Sequence, residues 1–102
     1  MLITRQEVDR LKAIVRDIDT GLIPGNIVTS VLSAFFAENP HLLMTNKFDE
    51  HTQRPTSGPE REALDFLAQN TTMSGLVEFE LPLLEFRVPS GRWSGMIGVP
   101  YL

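Results

Sequence analysis

The stretch Leu76–Pro89, "LVEFELPLLEFRVP", states one pattern twice. Leu76-Val77-Glu78-Phe79-Glu80-Leu81-Pro82 and Leu83-Leu84-Glu85-Phe86-Arg87-Val88-Pro89 both read Leu, aliphatic, Glu, Phe, charged, aliphatic, Pro. Each copy alternates apolar with charged, as a half-buried strand does. Val77, Phe79 and Leu81 share one face against Glu78 and Glu80; Leu84, Phe86 and Val88 share one against Glu85 and Arg87. A spacing of seven is odd, so a continuous strand would send Phe79 and Phe86 to opposite faces. Pro82 sits where the register must change, and proline donates nothing to a ladder. The expectation is a bulge or corner at Pro82 and Leu83 that returns both rings to one core. A tight hairpin there is the rival, without the Gly or Asn that two-residue turns favour. The prolines and charges also predict an edge position, guarded against unwanted pairing yet open to one chosen partner strand along Leu84–Val88.

Downstream, Pro89-Ser90-Gly91-Arg92 is a turn signal, with proline preset for the second turn position. "WSGMIGVPYL" then puts Trp93, Ile97, Val99 and Tyr101 on one face. Strands are predicted over about 76–81, 83–88 and 93–99, the last two as an antiparallel hairpin.

Upstream the period changes from 2 to 3.6. Thr4 and Glu7 have capping-box spacing, and Val8, Leu11, Val15 and Ile18 form an apolar stripe over a helix of about 4–20. Arg5 with Asp9, and Glu7 with Arg10, are expected surface pairs. Gly21 suits the stop. Asp19 in the last turn runs against the helix dipole, so it is read as solvated or as a cap for the next segment. A second helix, about 25–38, carries Ile27, Val28, Val31, Leu32, Phe35 and Phe36 over two adjoining faces, and is predicted to be the most buried element. His41–Thr45 suits a short strand or an extra helical turn. A third helix, about 58–69, opens on a second capping-box spacing, Ser57 and Glu60. The loop 46–57 between them is polar and aperiodic, and is expected to be mobile in the free protein. The prediction is one α+β domain over 1–102: three N-terminal helices, then a small antiparallel sheet made of a C-terminal hairpin and one preceding strand.

Composition narrows the function classes. The chain is 42% apolar and 22% charged, ordinary for a folded domain, and its net charge is −4. The nine basic residues are scattered, without the basic patch of a nucleic-acid binder. No cysteine is present, so disulfides and thiolate sites are excluded. "MLITRQEVDR" has no apolar signal region. Thr20–Ala37 lacks charge but holds Pro24, Gly21, Gly25, Asn26, Thr29, Ser30 and Ser33, which favours a buried soluble segment over a membrane span. The expected setting is cytoplasmic. Asp49-Glu50-His51 is contiguous and lacks metal-site spacing, and Gly91-Arg92-Trp93-Ser94-Gly95 misplaces its serine for a nucleophile elbow. Neither a metal nor a cofactor is expected.

The leading expectation is a small acidic, non-catalytic protein–protein interaction protein: an inhibitor, an immunity or anti-defence protein, or a small subunit of a larger assembly. Its expected contacts are Phe48, Asp49, Glu50 and His51 of the loop and Leu84, Phe86 and Val88 of the strand, with a protein partner or a second copy. The alternative is a small-molecule-binding protein or minimal enzyme. Its pocket would lie between helices and sheet, lined by Phe35, Phe79, Phe86 and Trp93, with Thr29, Ser33 and Arg87 as the polar groups.

Overall fold

The computed structural model describes residues 3–44, 57–78 and 81–98. Helices come first and a three-stranded antiparallel sheet follows, so the fold is α+β. The helices are α1 (Arg5–Asp19), α2 (Val28–Glu38), the short α3 (His41–Met44) and α4 (Gly58–Asn70); a 3₁₀ turn, Gly25–Ile27, leads into α2. The strands are β1 (Thr71–Glu78), β2 (Leu81–Arg87) and β3 (Ser94–Gly98), in the order β1-β2-β3.

α1 follows its sequence closely. The Thr4 hydroxyl accepts from the Glu7 N–H at 3.2 Å, and Glu7 Oε1 accepts from the Thr4 N–H at 3.3 Å. Two orphan donors of the first turn are thus satisfied reciprocally. Val8, Leu11, Val15 and Ile18 are all buried. Gly21 ends the helix at φ +85°, a left-handed conformation that glycine adopts without Cβ strain. The expected surface pairs do not form. Arg5 instead pairs with Glu62 of α4, and Glu7 with His41 of α3, because packing brings those partners within reach.

The other two long helices stop without glycine. Asn39 Nδ2 donates to the Phe35 carbonyl at 2.9 Å, and Asn70 Nδ2 to the Phe66 carbonyl at 2.7 Å. Each asparagine turns back four residues to satisfy a carbonyl that the helix leaves open. Thr71 Oγ donates to the Leu67 carbonyl as well, so α4 passes directly into β1. The second capping box is absent: Ser57 makes no side-chain cap bond, and Glu60 Oε1 accepts from the Ile3 N–H at 3.4 Å.

α2 buries one face rather than two. Val28, Leu32, Phe35 and Phe36 are buried, Val31 is half-buried, and Ile27 is 42% exposed. α1 buries as many apolar residues as α2, so α2 does not stand out as the centre. Its place is against the sheet. Phe36 meets Phe86 of β2 at 6.1 Å between ring centroids and meets Phe35 edge-on at 5.5 Å, a spacing that suits aromatic quadrupoles. Leu84, Phe86, Val88 and Ile97 complete the inner face of the sheet.

The repeated stretch folds back on itself. Glu78 pairs with Leu81 and Val77 with Pro82, so the chain reverses between Glu78 and Leu81 instead of stepping at Pro82. A bulge exists, but in β1: Met73 pairs with Leu84 and Val77 with Pro82, so four residue steps of β1 face two of β2. Gly75 lies within that interval, where a glycine eases the irregular backbone. Strand β1 also begins at Thr71, five residues before the predicted start. The second copy, β2, is the central strand, paired with β1 on one side and β3 on the other. The turn after it is as expected. The Gly91 N–H donates to the Val88 carbonyl at 2.9 Å around Pro89 and Ser90, with Gly91 at φ +78°.

Candidate functional site

Two surface regions hold most of the polar and apolar groups that the core leaves over. The first is an open cleft of about 420 Å³ beside the first turns of α1, lined by Thr4, Gln6, Glu7, Arg10, Asn39 and His41 over the Phe35 ring. Glu7 and His41 form an ion pair between helices 34 residues apart, each side chain only about one-fifth exposed. Burial pushes the Glu7 carboxyl up. The His41 and Thr4 hydrogen bonds and the His41 charge outweigh it, and leave Glu7 below the ordinary carboxylate value. Both Glu7 oxygens are occupied, Oε1 by the Thr4 N–H and hydroxyl and Oε2 by His41. The carboxylate therefore works as a tie rather than a free base. Arg5–Glu62 and Ile3–Glu60 add further ties at this end of α1. Among the described residues, no three His, Asp or Glu side chains gather as metal ligands.

The second region is the margin of β3. Trp93 lies across the inner side of Gly95; a Cβ built on Gly95 would stand 2.8 Å from Trp93 Cζ2. On its other side Trp93 meets the α1–α2 connection, where a Cβ on Gly25 would be 3.8 Å from Cδ1. That connection and β3 carry the large apolar side chains that stand out to solvent among the described residues. Leu22 is 76% exposed, Ile27 42% and Met96 40%. The margin is fastened at one end by Asp19, whose Oδ1 accepts from the Ser90 N–H at 3.1 Å and from the Ser90 hydroxyl. The Ser90 oxygen accepts in turn from the Arg92 N–H at 3.1 Å. Asp19 thus caps the β2–β3 turn, an answer to why an acid sits at the wrong end of a helix dipole. A smaller cleft, about 340 Å³, lies beside the same turn between Asn70, Arg87, Ser90 and Ser94.

The residues expected to meet a partner divide. Phe48, Asp49, Glu50 and His51 lie outside the described residues. Leu84, Phe86 and Val88 are at most 2% exposed, and β2 is paired on both sides; they hold the core and leave no edge for a partner strand. The expected pocket residues do not converge either. Phe35 and Phe86 are core residues, Trp93 and Ser33 are half-buried, and Thr29 is exposed. Arg87 is exposed beside Glu85, 3.7 Å away on the outer face. Phe79 lies outside the described residues. The Glu7–His41 pair went unseen in the sequence because its members carry no shared spacing; Glu7 was legible only as a cap. Comparison with protein families, with characterised proteins and with solved structures finds no match. Among the described residues, no helix is long and apolar enough to cross a membrane.

Proposed function

We propose that this chain is a small acidic, non-catalytic protein–protein interaction protein, of the inhibitor or immunity and anti-defence type or a small subunit of a larger assembly, working in the cytoplasm. The observation that carries the reading is the set of exposed apolar side chains, Leu22, Ile27 and Met96, gathered about the margin of one outer strand. Single exposed apolar residues are ordinary, but a shared location marks an interaction surface. Phe48, with Asp49, Glu50 and His51, is proposed as a second contact. It is a large aromatic in an otherwise polar stretch, the residue type that dominates binding when it fills a pocket. No observation favours the small-molecule reading, since its proposed pocket residues are spread between core and surface.

The test is capture of the tagged chain from its native host, followed by size-exclusion of the reconstituted complex. A stoichiometric complex is expected, weakened at least about tenfold by Leu22→Lys or Phe48→Ala, the effect of losing a single anchor. A chain that elutes alone, or a complex indifferent to both changes, overturns the reading.

A further inference from the structure

The partner at the β3 margin can be named more closely, on the interaction reading above. The Val88 N–H donates to the Trp93 carbonyl at 3.1 Å. Alternation along an antiparallel ladder then makes Phe86–Gly95 and Leu84–Ile97 the pairs bonded to each other, and turns the N–H and C=O of Ser94, Met96 and Gly98 away from β2. No described strand lies beyond β3. Outer strands are ordinarily blunted by charge, proline or a bulge. The other outer strand, β1, has such a bulge between Met73 and Val77. Ser94-Gly95-Met96-Ile97-Gly98 has no charge, no proline and no register shift, and its middle residue is the exposed Met96.

We propose that a second copy of this chain pairs here, β3 against β3, antiparallel about a two-fold axis at Met96. Met96 then faces its own copy and Ser94 faces Gly98, so the outward groups of one strand meet those of the other in about six hydrogen bonds. The contact is isologous and closes at two chains, joining the three-stranded sheets into one of six. The two Met96 side chains meet on the outer face, where Met96 pairs with Glu85 across the β2–β3 ladder. Charge permits this despite the net −4. The acids on the neighbouring strands, Glu85 and its copy, stand three strand spacings apart, about 14 Å, beyond the ~8 Å screening length at physiological salt. A foreign strand would be selected by charge or by side chains pointing at the edge. This edge offers none, and its symmetry about Met96 matches its own copy. Five residues bury less than the ~1,200 Å² of a standard interface, so the dimer is weak and reversible.

Sedimentation velocity of the full chain from low micromolar to millimolar concentration tests the proposal. Two variants accompany it. Met96→Pro removes an outward N–H without touching a bond to β2, and Met96→Lys sets like charges on the axis. A concentration-dependent dimer is expected in the parent chain, weakened at least about tenfold in both variants while circular dichroism and melting show an intact fold. Should the proline variant not fold, the lysine variant decides. A parent chain monomeric throughout, or a dimer unaffected by the lysine, overturns the proposal. A monomer that instead holds a foreign protein at Met96 overturns the second copy while leaving the interaction reading standing. A dimer without any foreign complex does the reverse for the foreign partner.

Discussion

At the scale of single residues, Glu7 and Gly95 show how much one position carries. Glu7 has its carboxyl below the ordinary value because His41 and Thr4 hold the ionised form against the effect of burial. The stability it contributes is therefore present above the unfolded carboxylate range near 4.5, and is lost as pH falls through the lower folded value. Glu7→Gln is expected to cost about 1 kcal/mol at neutral pH, the worth of a charge-assisted bond with a retained cap. That difference should shrink as the parent chain is acidified, which urea unfolding at several pH values would show; a difference constant down to acid pH would mean the pair is not ionic. Gly95 has another role. Its missing side chain makes room for the Trp93 ring, 2.8 Å from where a Cβ would stand. Gly95→Ala is expected to destabilise by about 1–3 kcal/mol, as overpacking does, with a shifted tryptophan emission. Unchanged stability and emission would show that the ring moves freely.

At the scale of elements, helices were more legible than strand pairing. Thr4, Gly21 and the stripe Val8, Leu11, Val15 and Ile18 fixed α1 because each signal is local. The ends of α2 and α4 were approachable from Asn39 and Asn70, although side chains reaching back to a carbonyl leave no periodic trace. Strand pairing is not local. The choice between a step at Pro82 and a reversal depended on β1 reaching back to Thr71, and a bulge in β1 offset the register that the repeat implied. The candidate site was the least legible. Leu84, Phe86 and Val88 alternate equally well in a central strand and in an edge strand, so only the neighbours decide their role. For α2 the expected cost of Leu32→Ala is about 2–5 kcal/mol, as for a buried leucine with little room to collapse. Val31→Ala, at a half-buried position, should cost clearly less. Denaturant unfolding that ranked the two in reverse would place the helix differently on the sheet.

At the scale of the whole molecule, stability and association are linked. If β3 pairs with its copy, only the folded dimer gains, so the melting temperature should rise with protein concentration. That rise should vanish in Met96→Lys, while Glu62→Gln, at the exposed Arg5–Glu62 pair far from the β3 margin in sequence, should retain it. A melting temperature independent of concentration in the parent chain would agree with a monomer. The net charge of −4 keeps other surfaces apart and leaves the uncharged strand as the place where two copies can approach.

The clasping of α1 at both ends also has a kinetic meaning. Its start is tied to residues 34 and 57 positions away and its last turn to one 71 positions away. α1 can gain its helical turns early from local signals, yet its end ties must wait for chain closures that span much of the molecule. Ties formed after the rate-limiting step leave the folding rate alone and act on unfolding. Asp19→Asn and Arg5→Gln should therefore speed unfolding while refolding proceeds at nearly the parent rate, with stopped-flow mixing as the measure. These two ties would then set how long a folded molecule survives, rather than how quickly one forms.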